Sequence, residues 1–195
     1  DFCRTVDNIA DQEANLDYRK KEIIKFRTNF ENKDFKNEVI KNMWELIDEF
    51  NISKKVVYDL FDGVESDIQE KVKIKNEKEL LIYSYRVAGT VGLMMAKIFN
   101  IKKQESLQRA IYLGIAMQLT NIARDVVEDE KKNRVYLINY TKDTLINIKK
   151  IIYTADTFYN SSFVGIKDIP LNCRFSIIVA RRVYRQIGKK IFNIK

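Results

Sequence analysis

Two pairs of aspartates have the spacing and the chemistry of a metal site. Asp7 and Asp11 form the first pair, and Asp125 and Asp129 form the second. On a helix, side chains four residues apart lie on one face, so each pair can present its carboxylates together. Mg²⁺ prefers such oxygen ligands and is usually held by one or two carboxylates plus substrate phosphates. If the pairs face each other across a cavity, they predict a site for a diphosphate and Mg²⁺, with Mn²⁺ as the alternative ion.

Two amides extend the second pair into a polar stripe. Gln118, Asn121, Asp125 and Asp129 are spaced by three, four and four residues, which places all of them on one helical face. Apolar residues flank the stripe, namely Leu119, Ile122, Ala123 and Val126. Polar groups among packed apolar neighbours are costly unless something satisfies them. A divalent cation would do so, whereas the alternative for either acid pair alone is a solvated helix surface.

Each acid pair has an arginine within one helical turn. Arg4 lies beside the first pair and Arg124 beside the second, with Arg134 a little further along the chain. Guanidinium groups donate strong charge-assisted hydrogen bonds to phosphate oxygens. The plainer alternative for Arg4 and Arg124 is a salt bridge to the neighbouring aspartates.

The composition indicates a single all-α domain and excludes several chemistries. The chain has 195 residues, of which 46% are hydrophobic, with one Pro and six Gly. That length supports one domain with a real core, and so little Pro and Gly favours long helices. There is no His, which excludes Ser-His, Cys-His and zinc-His sites. Cys3 and Cys173 lack metal or redox spacing and are expected to be free thiols of a reducing compartment.

The net charge of +8 allows two interpretations. It fits a Lys-rich solvated surface, or attraction to anionic lipid or a polyanionic substrate. No basic stretch interleaves with aromatic residues, so nucleic acid is not expected as a partner. The sequence contains no apolar run of membrane-spanning length, and we expect a cytoplasmic protein with peripheral membrane contact. The chain starts at Asp1 within an apparent helix, so residues 1–195 are interpreted as one domain whose N-terminal helix, and extreme C-terminus, are missing.

Hydrophobic periodicity predicts helices throughout and no strand. The expected helices cover residues 1–11, 13–32, 54–71, 77–100, 104–132, 141–158 and 171–194, together with one that Asp34 caps and that runs to about residue 50. Ser53 is the expected cap of the helix from 54. Residues 71–76 form a charged break, 132–137 an extended segment and 161–168 a loop. Expected apolar faces include Ile23, Ile24 and Phe26 in the second helix and Ile177, Ile178, Ala180, Val183, Tyr184 and Ile187 in the last.

Small residues cluster inside the helix over 77–100. Ala88, Gly89 and Gly92 lie mid-helix, where each Gly costs about 1 kcal/mol relative to Ala. They indicate either close helix packing or a weakened, bent helix that leaves room for a long apolar ligand. Gly114 is expected to leave space in the same way. The nearby Val91, Leu93, Met94 and Met95 would then wall a hydrocarbon tunnel, although a methionine cluster is more often plain core.

Three motifs resemble the squalene/phytoene synthase family, the head-to-head trans-isoprenyl diphosphate synthases. They are C-R-T-V-D-N-I-A-D at 3–11, Y-S-Y-R-V-A-G-T-V-G at 83–92 and Q-L-T-N-I-A-R-D-V-V-E-D at 118–129, the last followed by R-V-Y-L at 134–137. The segments 158–173 and 180–188 resemble bacterial phytoene synthases in particular. The resemblance covers nearly the whole chain.

This resemblance implies an isoprenoid synthase-type helical bundle around a central cavity. It implies magnesium-dependent joining of two geranylgeranyl diphosphates through a cyclopropyl diphosphate to phytoene, in carotenoid biosynthesis. By motif match, the metal ligands are Asp7, Asp11, Asn121, Asp125 and Asp129. The catalytic group adds Arg4 and Tyr136 to the aspartates, and the substrate-binding residues are Arg4, Tyr83, Val87, Ala88, Val91, Gly92, Gln118, Asn121, Arg124, Arg134 and Tyr184. Tyr83 and Tyr184 have plain core packing as their alternative.

Two other functions are compatible with the sequence. One is a squalene-pathway relative that joins two farnesyl diphosphates, because tunnel depth cannot be obtained from the sequence. The other is a non-catalytic assembly factor of the same family, which the presence of both acidic motifs argues against. Two departures from the family pattern are Asn8, where many relatives have Asp, and Val127, where Gly is usual. Val127 is expected to face away from the carboxylates.

Overall fold

The chain folds almost entirely into helices, as the sequence predicts. The structure is a computed structural model that describes residues 1–138 and 144–193. Within these residues the helices are α1 (Phe2–Asp11), α2 (Leu16–Glu31), α3 (Glu38–Phe50), α4 (Lys54–Ser66), α5 (Glu77–Ser84), α6 (Thr90–Ile98), α7 (Gln104–Arg124), α8 (Val126–Lys131), α9 (Thr144–Phe163) and α10 (Leu171–Phe192). A π-helical turn, Tyr85–Gly89, joins α5 to α6, and a 3-10 segment, Val164–Asp168, follows α9. None of the described helices is both long and apolar enough to span a bilayer.

Asparagine side chains cap α2 and α3, and both helices begin later than predicted. The Asn15 side chain accepts the Tyr18 backbone N–H at 2.8 Å, so α2 begins at Leu16 instead of residue 13. Asn37, not Asp34, caps α3 by accepting two backbone N–H groups. Ser53 does occupy the N-cap of α4, but its side chain makes no capping bond.

The prediction that the chain has no strands was wrong. The described residues contain strands β1 (Val72–Lys73) and β2 (Arg134–Val135), which pair in parallel. The Val72 N–H donates to the Asn133 carbonyl and the Ile74 N–H donates to the Val135 carbonyl, both at 3.0 Å. Each strand is too short to show an alternating pattern. Helix α4 ends at Ser66, earlier than expected, and the strand pair holds the segment from Arg134 beside the segment that follows α4.

Two of the predicted long helices are interrupted. The helix over 77–100 contains the π-helical turn at Tyr85–Gly89, which fits the expected weakening around its glycines. The helix over 104–132 breaks at Asp125, whose φ and ψ of −99° and 14° lie outside the α-helical region. Further along the chain, α9 continues to Phe163, and α9 and the 3-10 segment together occupy the predicted loop over 161–168. The predicted residues 141–143 and 194 lie outside the described residues.

The core consists of two main clusters, and the candidate site lies where they meet. One cluster holds α1 to α4 together around the buried rings of Phe2, Phe30 and Phe61. The other joins α5, α7, α9 and the segment after β2, around Leu119 and Tyr159. Two residues were assigned to the apolar face of their helix wrongly. Ile24 is 60% exposed and Val183 is 53% exposed, so both lie on the solvent-facing side.

Candidate active site

The two acid pairs line one cavity. This polar cavity has a volume of about 220 Å³. Its walls are Asp7, Ala10, Asp11, Val64, Asp67, Tyr83, Val87, Gln118, Asn121, Ile122, Asp125, Asp129, Arg134 and Tyr136. Helix α1 therefore presents its aspartates to the same space as the end of α7 and the start of α8.

A larger apolar cavity adjoins the polar one. Its volume is about 460 Å³, within the roughly 300–1,000 Å³ that small-molecule sites occupy. Val87, Gln118 and Asn121 line both cavities. The apolar walls come from the π-helical turn and from α6, α7, the 3-10 segment and α10, including Ala88, Val91, Gly92, Met95, Phe99, Ile101, Leu113, Met117, Ile166, Ile177 and Tyr184. The arrangement suits a ligand with a charged head and a long hydrocarbon tail.

The break at Asp125 preserves the spacing of the second acid pair. The Asp125 N–H donates to the Asn121 carbonyl at 2.8 Å, and the Asp129 N–H donates to the Asp125 carbonyl at 2.8 Å. The backbone thus keeps helical hydrogen bonding across the irregular residue. As a result both carboxylates and the Asn121 amide still lie along one wall of the polar cavity.

Strand β2 carries Arg134 into the site. The Arg134 side chain is almost completely buried, and its Nη1 donates to Asp11 Oδ1 at 2.8 Å. Its Nη2 donates to the Ala10 carbonyl at 3.4 Å. Pairing with Asp11 raises the pKa of this guanidinium, against the opposing effect of burial. The segment after α8 therefore returns to the polar cavity, where Arg134 and Tyr136 are both in the lining.

Sequence reasoning missed Asp67, which lies in the wall of the polar cavity. Its carboxylate accepts a hydrogen bond from the Tyr83 hydroxyl at Oδ2 and from the Tyr136 hydroxyl at Oδ1, both at 2.7 Å. The two rings stack with centroids 4.8 Å apart. Burial raises the pKa of Asp67 to about 6, although both hydroxyls and Arg134 act in the opposite direction. No local signal marks this residue, because it follows α4 without a carboxylate at helical spacing on the cavity side.

Crowded negative charge makes the cavity a candidate cation site. Withdrawal from water, reinforced by the charges of Asp11 and Asp67, raises the pKa of Asp7 to about 6 even though Asp7 keeps contact with solvent. Loss of hydration and the charge of Asp125 raise the pKa of Asp129 to about 6 as well. Carboxylates that repel one another in this way are stabilised when a cation binds between them.

The donor set fits Mg²⁺ shared with a ligand better than a cation held by protein alone. The Oδ1 atom of Asn121 is buried without a hydrogen-bond partner, and Asn121 is in the lining of both cavities. Among the described residues, no group of three or more His, Cys, Asp or Glu side chains lies close enough to hold a metal ion. Phosphate oxygens would have to complete the coordination, as they commonly do for Mg²⁺.

Two predicted residues lie outside the lining of both cavities. Arg4 is exposed on α1. Arg124 donates to both oxygens of Asp125 at 2.6 Å, which is the salt-bridge alternative considered for it. The remaining predicted site residues all line one cavity or both. Val127 is 65% exposed, so it faces away from the carboxylates as expected.

The tunnel prediction was half correct. Val91 and Met95 line the apolar cavity. Met94 is 4% exposed and packs into the core of α1 to α4, with Leu93 against that core, because they lie on the opposite face of α6. Gly114 does not leave space, since a Cβ there would collide with the Ala88 carbonyl. Close helix contact and the cavity wall therefore coincide in this part of the bundle.

The geometry agrees with comparisons to known proteins. The family model "Squalene/phytoene synthase" matches residues 1–138. A phytoene synthase from Pseudescherichia vulneris is 31% identical over 97% of this chain and 71% of its own length. A 15-cis-phytoene synthase from Enterobacter agglomerans is 36% identical over 69% of this chain and 51% of its own length. A crystal structure of a squalene synthase from Alicyclobacillus acidocaldarius has the same fold, with a TM-score of 0.79 at 17% identity, covering 97% of this chain and 79% of that one.

The chain belongs to the squalene/phytoene synthase family. The matched residues include both acid pairs, Arg134 and Tyr136. The all-α helical fold predicted for this family is confirmed. The chain spans about half the length of several of the phytoene synthases it matches.

Proposed function

We propose that the protein is a phytoene synthase, a prenyltransferase of carotenoid biosynthesis that joins two molecules of geranylgeranyl diphosphate. The observation that carries this proposal is the pair of adjoining cavities, one lined by four motif aspartates and the other apolar. The similarity to phytoene synthases at 31% and 36% identity supports the C20 substrate. Residues 1–195 act in this proposal as one prenyltransferase domain.

The chemistry requires a good leaving group and a dry cavity. The C1–O bond of one substrate breaks and diphosphate leaves as an anion, giving an allylic cation. The double bond of the second substrate attacks this cation, and loss of a proton closes a cyclopropyl diphosphate. The second diphosphate then leaves, and rearrangement with loss of another proton gives phytoene. Each ionisation separates charge, so the site must stabilise both the departing anion and the cation.

The polar cavity supplies the site for the diphosphates. Asp7, Asp11, Asn121, Asp125 and Asp129 would hold Mg²⁺, which when bound neutralises the charge of the leaving diphosphate as a Lewis acid. Arg134 is already anchored on Asp11 and would donate its remaining N–H groups to a phosphate oxygen. The Gln118 amide and the Tyr136 hydroxyl line the same space and would complete the polar contacts.

The apolar cavity supplies the site for the prenyl chains. Val87, Ala88, Val91, Gly92 and Tyr184 contribute to its wall. Exclusion of water by such walls protects a carbocation from capture, which would give an alcohol instead of a hydrocarbon. No histidine base is needed, because the diphosphate released in the first half of the reaction is itself basic.

Product analysis distinguishes the candidate functions. The full-length protein is incubated with Mg²⁺ and either geranylgeranyl or farnesyl diphosphate, and the hydrocarbons are identified by mass spectrometry. A C40 polyene from geranylgeranyl diphosphate supports phytoene synthase, and a C30 product alone supports the squalene-type alternative. No hydrocarbon from either substrate would refute the proposed activity and favour a non-catalytic assembly role.

The proposal includes peripheral contact with an anionic membrane, which would receive the product. On α10, Leu171 is 78% exposed and Phe175 is 75% exposed. Arg174 lies beside Phe175, and Arg182 is exposed further along α10, so the surface combines apolar side chains with positive charge. Co-sedimentation with vesicles containing anionic lipid should exceed that with neutral vesicles and should fall in a Leu171→Ser/Phe175→Ser variant. Equal sedimentation of that variant would refute this contact.

A further inference from the structure

Asp67 is half-buried and is the carboxylate in the lining of the polar cavity that the metal proposal does not use. Both of its oxygens accept a phenol hydrogen bond, from Tyr83 and Tyr136 respectively. The two hydroxyls are 3.2 Å apart, and the Tyr83 hydroxyl also donates toward that of Tyr136. Both tyrosines are buried, with exposures of 7% and 5%. One carboxylate thus fixes the rotation of two stacked rings.

The location of the rings connects this cluster to the reaction. Tyr83 lies one helical turn before Val87, and Val87 lines both cavities. The tyrosine pair therefore lies close to the junction between the polar cavity and the apolar one. A charged head bound in the first and a tail bound in the second would place the reacting carbon at this junction.

We propose that Asp67 is a positioning residue that holds Tyr83 and Tyr136 in the orientation needed for turnover. A phenol that donates to a carboxylate carries more negative charge on its oxygen and ring. Such a ring stabilises a nearby cation better than a free phenol does. Without the carboxylate, two buried hydroxyls lose their acceptor and the rings are no longer held. This inference rests on the proposed function and adds a residue to it.

Asp67 differs from the predicted metal ligands in what it contacts. Its two oxygens already serve the tyrosines, and Arg134 contributes a favourable charge. Its role should therefore appear in the rate of turnover and not in the affinity for diphosphate. That separation distinguishes a positioning residue from a member of the diphosphate site.

Asp59 provides a matched control on α4, the helix that ends directly before Asp67. It is 8% exposed and accepts the Tyr85 hydroxyl at 3.1 Å and Lys55 Nζ at 2.8 Å. It lines neither cavity. Asp59→Asn thus weakens another Tyr–Asp hydrogen bond without changing the lining of either cavity.

The test compares Asp67→Asn and Asp59→Asn in the full-length protein. Turnover is measured with geranylgeranyl diphosphate and Mg²⁺, and binding of inorganic pyrophosphate with Mg²⁺ is measured by calorimetry. We expect Asp67→Asn to lower kcat at least tenfold while the pyrophosphate Kd stays within threefold of the parent. Asp59→Asn should leave both within threefold. In a Tyr83→Phe/Tyr136→Phe background, Asp67→Asn should lower kcat by less than a further threefold.

Several results would overturn the inference. They are a kcat loss smaller than tenfold, a loss of pyrophosphate affinity beyond threefold, or a further loss of threefold or more in the background without hydroxyls. Should Asp67→Asn fail to fold, Asp67→Glu, which keeps the charge but moves the oxygens by one methylene, is held to the same kcat and Kd criteria.

The failure of the proposed function would be seen separately, as a parent protein that makes no hydrocarbon. In that case the positioning role is judged by ¹⁹F NMR of protein labelled with 3-fluorotyrosine. Asp67→Asn should shift the resonances of Tyr83 and Tyr136, and Asp59→Asn should not. Unshifted resonances in Asp67→Asn would overturn the role of Asp67 by themselves.

Discussion

Removing the charge of Asp129 should stabilise the metal-free protein. Burial and Asp125 raise the pKa of this carboxyl from an ordinary 3.8 to about 6. At 1.36 kcal/mol per pKa unit, ionisation of Asp129 in the native state at neutral pH is disfavoured by roughly 3 kcal/mol. Because Asp129 is only half-buried, solvent screening reduces this to about 1 kcal/mol. Asp129→Asn removes the repulsion and keeps the shape, so we expect Tm to rise by about 2–4 °C.

Thermal unfolding followed by circular dichroism at pH 7.5 with a chelator measures this effect. Glu128→Gln on the same helix is the matched control, because Glu128 is exposed and only pairs with Lys132 at 3.2 Å, a surface contact of little value. With Mg²⁺ and pyrophosphate added, the parent should have a higher Tm than Asp129→Asn, since ligand stabilises the parent more than the variant. A lower Tm for metal-free Asp129→Asn than for the parent would refute the argument from crowded carboxylates.

Three further predictions concern packing and pH. Gly114→Val should lower the free energy of unfolding by about 2 kcal/mol or more in urea titration, because its Cβ would meet the Ala88 carbonyl. A Cβ at Gly188 would make only ordinary contacts, the nearest at 3.4 Å. Gly188→Ala should therefore change the free energy of unfolding by less than about 1 kcal/mol. The three acids with a pKa near 6 bind more protons folded than unfolded between about pH 4 and 6, so their contribution destabilises the metal-free fold as pH rises through that window. Raising the pH from 5 to 7 should therefore lower the chelated protein's Tm, and an unchanged or higher Tm would contradict this.

Local patterns in the sequence predicted the features that depend on short-range geometry. The spacing of Asp7 and Asp11 on α1 and the polar stripe from Gln118 to Asp129 need only the helical repeat, and the structure places them on one cavity. Both alternatives for the glycine cluster are found, because Tyr85–Gly89 forms a π-helical turn and a Cβ at Gly92 would collide with the Ala110 carbonyl of a closely packed helix.

Features that depend on residues distant in the sequence could not be predicted in this way. The pairing of Val72 with Arg134 joins segments about sixty positions apart and too short to carry a strand pattern. Asp67 becomes important only because that pairing brings Tyr136 to it. For the same reason, the family motifs around Tyr83 and Tyr136 identified the tyrosines but not the carboxylate between them.

Calorimetric titration of inorganic pyrophosphate in the presence of Mg²⁺ tests the central claim most directly, which is that both acid pairs serve one diphosphate site. The full-length parent is compared with two double variants, Asp7→Asn/Asp11→Asn and Asp125→Asn/Asp129→Asn, after each is shown to fold. We predict that either double variant binds pyrophosphate at least tenfold more weakly than the parent. Parent-like affinity in either variant would contradict a shared site.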